Sequence, residues 1–189
     1  MRKPRPLLGI PQRKGACLVI IDVQERFRDA IFDFGRTADN IRKLAEAFRM
    51  LGIPIIITEQ NPVKLGKTIP EITNELGKFK PVAKMHFSCC GEKEFMSAIK
   101  KTKAKDVVIC GFETHVCVLK TALDLMSSGY SVHVACDAVS SRKQSDTNLA
   151  IKRFVQLGAP FITTTESIIF QLIDKAGTDE FRQIFRIVK

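Results

Sequence analysis

The run ACLVIID (residues 16–22) decides the fold. Six apolar residues, Ala16–Ile21, follow one another without interruption and stop at Asp22. A strand with one wet face would alternate apolar and polar residues. An unbroken run of this length suits a parallel strand whose sheet is covered on both faces. Downstream, Thr37–Leu51 sets Ile41, Leu44, Ala45, Phe48 and Leu51 on one helical face, Gly52 stops the helix, and Ile53–Thr58 is a second apolar run. Strand, helix and strand in this order form a βαβ unit.

The alternation continues to the end of the chain. Glu59 to Lys80, with Pro62, Gly66, Pro70 and Gly77, reads as a long loop with one helical turn near Ile69–Leu76. Strands are expected at Pro81–Lys84, Asp106–Gly111, Ser131–Ala135 and Phe161–Thr163. Helices are expected at Glu92–Lys101, Thr114–Ser128, Ser145–Leu157 (stopped by Gly158), Glu166–Ala176 and Asp179–Val188. This pattern predicts an α/β fold, a doubly wound and mainly parallel sheet with helices on both faces. Ligands in such sheets bind beyond the carboxyl ends of the strands.

Composition narrows the class of function. With 189 residues, 45% of them hydrophobic, the chain fills one domain with a sizeable core and leaves no room for a second. The expected division is a basic tail over 1–14 and a single domain over 15–189. No apolar run approaches the roughly 18 to 20 residues that span a bilayer, and MRKPRP (1–6) lacks the apolar stretch of a secretory signal, so a cytoplasmic protein without a membrane partner is expected. The six cysteines (17, 89, 90, 110, 117 and 136) include no CxxC pair, and four lie in or beside apolar runs, which suits reduced thiols. The net charge of +10 raises nucleic-acid binding as a class. Yet half of it lies in Arg2, Lys3, Arg5, Arg13 and Lys14, and the cluster Lys100, Lys101, Lys103 and Lys105 closes a helix, where cations complement the dipole. No single binding face emerges, and no nucleic-acid partner is expected.

The topology rule selects three chemically useful residues: Asp22 after the first strand, Lys84 after the third, and Cys117 after the fourth. Alone, each has an ordinary reading, as a turn residue, a surface lysine and a core thiol. Together they make a nucleophilic site. A free thiol is only a few per cent thiolate at pH 7, and a depression of about two pKa units would make most of it thiolate. Cys117 in the first turn of a helix, with Lys84 nearby, is expected to receive such a shift. Asp22 would take the thiol proton and return it to the leaving group.

The segments IIDVQERF (20–27), KMHFSC (84–89) and CGFETHVCV (110–118) resemble the signature segments of the isochorismatase-like cysteine hydrolases, in the family's order of acid, lysine and cysteine. TEQNPVKLGKTIPEI (58–72), CDAVSSRKQSD (136–146) and TTTESIIFQLIDKAGTDEF (163–181) resemble the isochorismatase domain-containing branch in particular. Residues 15–188 are covered. The resemblance implies a six-stranded parallel sheet, an Asp22–Lys84–Cys117 triad, and a non-proline cis peptide between Phe112 and Glu113. It also implies an oxyanion hole formed by the N–H groups of Glu113 and Cys117. Phe27 and Gln60 follow the family's pattern for pocket-lining positions, and His115, two residues before Cys117, is a third pocket candidate. Assembly as a homo-oligomer, a dimer or larger, is likewise implied.

Departures from the family pattern are informative. Nicotinamidases of the family carry an aspartate and histidines for a metal after the second strand, where TEQNPVKLGK (58–67) holds no histidine. His86, His115 and His133 are too scattered to form a metal set, so neither metal nor other cofactor is expected. Isochorismatase itself cleaves a vinyl ether and lacks the cysteine. Cys117 instead favours acyl transfer on a small amide or imide through a thioester. A non-catalytic binding or scaffold protein is the alternative on this fold, with the 59–80 loop and the basic tail as its surfaces. A redox role for Cys117 lacks a resolving cysteine at CxxC spacing. The adjacent Cys89 and Cys90 receive no role.

Overall fold

The computed structural model describes residues 9–189. Residues 1–8 of the expected tail lie outside the described residues. In chain order the elements are β1 (Ala16–Ile21), α1 (Phe34–Met50), β2 (Ile55–Gln60), α2 (Pro62–Leu65), α3 (Pro70–Thr73), β3 (Val82–Lys84), α4 (Lys93–Thr102), β4 (Asp106–Phe112), a π turn (Thr114–Val118), α5 (Leu119–Ser127), β5 (Ser131–Ser140), α6 (Gln144–Gln156), β6 (Phe161–Thr163), α7 (Thr165–Gln171) and α8 (Asp179–Val188).

The six strands form one parallel sheet in the order β3-β2-β1-β4-β5-β6. β1 is central and buried throughout, as its unbroken apolar run requires. Its side chains alternate between two cores. Leu18 and Ile20 meet Ile41, Leu44 and Phe48 of α1 and Ile168 and Ile184 of α7 and α8. Val19 and Ile21 face Phe95 and Ile99 of α4, Leu125 of α5 and Phe154 of α6. Each of these strand side chains is fully buried, a contribution of about 1.5–3 kcal/mol apiece. The sheet is therefore the middle layer of three.

The structure departs from the sequence expectation in four places. The helix expected over Thr114–Ser128 is two pieces, because Thr114–Val118 winds as a π turn, with the Val118 N–H reaching the Glu113 carbonyl five residues back, before α5 begins. β5 runs to Ser140, five residues past Ala135, because a register shift between Ile109 and Gly111 restores its pairing with β4. The 59–80 segment carries two short helices, and its buried Ile69 and Ile72 tie it to the α1 face of the sheet. α7 stops at Gln171 rather than Ala176.

The segment before β1 lies against the sheet's amino-terminal edge. The Gln12 N–H donates to Asp106 Oδ2 at 3.2 Å, and Arg13 pairs with Glu180 of α8 at 2.8 Å. Among the described residues no helix is long and apolar enough to cross a membrane.

Candidate active site

Pairing register brings the candidate residues together. Ile21 pairs with Thr58 on one side and Gly111 on the other, and Gln60 pairs with Lys84. The carboxyl ends of β1, β2, β3 and β4 thus meet at one edge. Asp22 leaves β1 in a left-handed conformation, φ 54°, which aspartate tolerates better than most side chains. Gly111 has φ +116° and no space beside it: a Cβ there would sit 2.0 Å from the Ile21 carbonyl oxygen. The absent side chain lets β4 pass this close to β1. The Phe112–Glu113 peptide that follows is cis.

Lys84 occupies the centre. Its side chain is fully buried, and Nζ stands 2.7 Å from Asp22 Oδ2, 2.6 Å from Gln60 Oε1, 3.2 Å from each of the His86 and Phe87 carbonyl oxygens, and 3.5 Å from Cys117 Sγ. Three ammonium protons are shared among these five acceptors. Burial works against the charge, but Asp22 and the neighbouring thiols Cys89 and Cys117 outweigh it and hold Lys84 above its ordinary pKa. Lys84 is therefore a fixed cation and not a base.

Asp22 is 1% exposed. Thr58 Oγ1 donates to its Oδ1 at 2.8 Å. Burial pushes its pKa up, opposed by Lys84 and by the hydrogen bonds of Lys84, Thr58 and Cys117.

Cys117 lies in the π turn and is 7% exposed. The expected depression of its pKa does not occur. Burial and the charge of Asp22 push the thiol up to about 12, and Lys84 opposes them only in part. The ammonium sits closer to the Asp22 carboxyl group than to the sulfur, so Cys117 rests as a thiol.

The other expected site residues divide. Gln60 holds Lys84 through Oε1 and donates from Nε2 to the Met85 carbonyl at 3.0 Å. Phe27 packs edge-on against Phe112 at 6.2 Å. His115 turns its Nδ1 to Ser141 Oγ at 3.0 Å, with Nε2 3.9 Å from Asp146. Glu113 uses its carboxylate on Arg142, which donates from its backbone N–H and Nε at 3.2 and 3.0 Å. His86 faces Glu92 near the surface, and His133 is buried toward the amino-terminal edge beside Asp106 and Phe161. Among the described residues no group of three or more His, Cys, Asp or Glu side chains is arranged to hold a metal.

Three residues escaped the sequence reading. Gln24 clamps the β2 end, accepting the Gln60 N–H at 2.8 Å and donating to the Gln60 and Gly66 carbonyls. Thr58 fixes Asp22. Cys89 is fully buried with Sγ 3.8 Å from Thr58 Oγ1, its backbone N–H held by Thr121 Oγ1 at 3.0 Å. Gln24 and Cys89 lie inside quoted motifs, but nothing in their spacing marks them. Thr58 ends an apolar run, where a hydroxyl is unremarkable.

Comparison with known proteins agrees with this fold. The isochorismatase domain family matches residues 16–166. Isochorismatase domain-containing protein 2 of Danio rerio is 39% identical over 181 residues, spanning 96% of this chain and 90% of that protein. The secreted isochorismatase effector Isc1 of Phytophthora sojae is 40% identical over 176 residues, 91% of this chain and 83% of that one. Among solved structures, one described as the MAR1 ribonuclease of Caenorhabditis elegans superposes with a TM-score of 0.88 at 36% identity, covering 95% of this chain and 92% of its own. With the family spanning the sheet from β1 to α7 and relatives this similar over nearly the whole length, the chain belongs to the isochorismatase family, in the branch of the isochorismatase domain-containing proteins.

Proposed function

We propose that this chain is a cysteine hydrolase that cleaves a small carbonyl compound, an amide or imide, through a thioester on Cys117. One observation carries the reading: a buried ammonium, Lys84, stands 2.7 Å from a carboxylate and 3.5 Å from a thiol. An ion pair buried without use is costly to keep. The rival reading, a non-catalytic binding or scaffold protein, leaves that cost without a purpose.

The chemistry follows from the protonation states. Cys117 rests as a thiol, so its proton moves to Asp22 as Sγ attacks the substrate carbonyl. The carbonyl electron pair goes to oxygen, where the N–H groups of Glu113 and Cys117 are the assigned donors. Collapse expels the amine, which takes the proton from Asp22 and leaves the thioester. Asp22 then takes a proton from water, the hydroxide attacks the thioester carbonyl, Cys117 leaves as a thiolate that takes that proton back from Asp22, and the acid is released. Lys84 keeps its charge throughout and holds Asp22 in place, and no cofactor enters these steps.

A homo-oligomer belongs to the same reading. Val63, Met85 and Phe87, on the loops that follow β2 and β3, are 96%, 67% and 55% exposed, which suits burial against further copies. Light scattering giving the 21.2 kDa monomer mass would end that part.

A second reading, RNA cleavage, is favoured by the 36% identity to a structure described as a ribonuclease. One experiment separates the two. Purified protein is offered a panel of small amides and imides, and in parallel a labelled RNA, with Cys117→Ala and Asp22→Asn as controls. Release of amine that both substitutions abolish supports the hydrolase. RNA cleavage that survives purification and depends on Cys117 or Asp22 supports the alternative. Neither activity over a broad panel favours the scaffold.

A further inference from the structure

Asp22 is anchored from two sides, and only one of them belongs to the triad. On the far side from Lys84, Thr58 Oγ1 lies 2.8 Å from Asp22 Oδ1, and Cys89 Sγ lies 3.8 Å from Thr58 Oγ1. All three side chains are buried. A carboxylate can only accept, so the single Thr58 hydroxyl proton points at Asp22. The Thr58 oxygen is then free to accept only from the other side, where the Cys89 thiol stands. The polarity of the chain is set: S–H to O–H to carboxylate.

We infer that Thr58 is a positioning residue for the reaction of Cys117, aiming Asp22 Oδ1 by its one hydroxyl proton, and that Cys89 serves as the protonated thiol that fixes the direction of that hydroxyl. The inference rests on the hydrolase reading and deepens it. It gives the two thiols near Lys84 opposite duties. Cys117 gives up its proton because it bonds Asp22 itself, whereas Cys89, pushed up to about 12 by burial and the charge of Asp22 just as Cys117 is, meets Asp22 only through the Thr58 hydroxyl and keeps its proton. The titratable groups facing Asp22 are Lys84 from β3, Cys117 from the π turn and, through Thr58, Cys89 from the turn after β3. A hydrogen bond donated to a carboxylate favours its ionised form, so removing the Thr58 hydroxyl makes Asp22 harder to ionise. The base would then become available only at higher pH.

The test is the rate of Cys117 alkylation by iodoacetamide against pH, read by peptide mass spectrometry. Wild type is expected to rise to a plateau as Asp22 ionises and to climb again at high pH as free thiolate forms. Thr58→Val and Thr58→Ala should move the first rise upward by about one pH unit or more and lower the plateau about tenfold. Thr58→Ser, which keeps the hydroxyl, should restore both. Cys89→Ala should move the profile in the same direction by less, and Cys89→Ser should not. If Thr58→Val and Thr58→Ala both keep the wild-type profile while Asp22→Asn loses the plateau, the role of Thr58 is overturned and the hydrolase reading stands. If Asp22→Asn itself keeps the plateau, the triad is wrong and the inference falls with it.

Discussion

Lys84 Nζ sits 2.7 Å from Asp22 Oδ2, with neither side chain more than 1% exposed. A buried pair of this kind is worth little against a matched apolar pair, yet removing one partner strands the other charge at a cost of about 3–5 kcal/mol. Lys84→Met is therefore expected to destabilise by about that much, with Asp22 kept protonated in the folded state. Asp22→Asn combined with Lys84→Met should be more stable than Lys84→Met alone, because the stranded carboxyl is gone and asparagine accepts the left-handed backbone at φ 54°. Denaturant unfolding of the single and double variants measures this. A double variant no more stable than the single would mean that the ammonium and carboxylate do not depend on each other.

The second prediction concerns the crossing of β1 and β4. Gly111→Ala adds a Cβ 2.0 Å from the Ile21 carbonyl oxygen in a conformation, φ +116°, that side chains rarely adopt. Backbone lies on both sides of the clash, so no side-chain rotation relieves it. The cost should exceed about 4 kcal/mol, and the variant should fail to accumulate as folded protein. Gly129→Ala, at φ +86° but with open space around it, should cost only about 1 kcal/mol or so. Equal loss in both would show that conformation and not contact sets the damage at Gly111.

Clamping of the lysine gives a third prediction. Gln60 Oε1 accepts from Lys84 Nζ at 2.6 Å, and Gln24 pins the Gln60 backbone at 2.8 Å. Gln60→Leu removes an acceptor from a buried cation and should cost about 1.5–3 kcal/mol. Gln24→Leu leaves Lys84 its acceptors but frees the end of β2, so its effect should fall on the 61–68 loop. Amide exchange resolves the difference: faster exchange at Thr68 and Gly66 in Gln24→Leu, against global loss in Gln60→Leu. Global loss alone in both variants would remove the clamp as a local device.

The fold was legible because its decisive signal is local. β1 is an uninterrupted apolar run, and the βαβ order follows from where Gly52 and Gly158 stop their helices. Asp22, Lys84 and Cys117 could be placed by their position at or just after the carboxyl ends of strands. What the sequence hid are facts of register and burial. The π turn adds one backbone step that no residue type announces, and β5 reaches Ser140 only because β4 shifts register beside Gly111. The upward shift of the Cys117 thiol comes from enclosure and from Asp22 lying nearer to Lys84 than Cys117 does, which spacing along the chain cannot reveal. Thr58 and Cys89 are 31 residues apart and meet only through the β2–β3 pairing.

Enclosed thiols make alkaline stability a last, separate prediction. Burial pushes Cys17, Cys89 and Cys117 each from 9.0 up to about 12, chiefly by desolvation. Between these limits the unfolded chain sheds thiol protons that the folded protein keeps. The unfolded state then binds fewer protons, so stability falls as pH rises through this window, by up to about 1.4 kcal/mol per pH unit for each thiol. Below pH 9 all three are protonated in both states and contribute no pH dependence. Cys17 is the cleanest probe, since it lies in β1 away from the Lys84 contacts. Cys17→Ala should lower stability at pH 7 by opening space in the core, yet its stability should decline less steeply than wild type above pH 9. Urea unfolding of the reduced protein at intervals from pH 7 to 11 reads both effects. Parallel decline in wild type and Cys17→Ala would mean that the Cys17 thiol ionises in the folded state as readily as in the unfolded one.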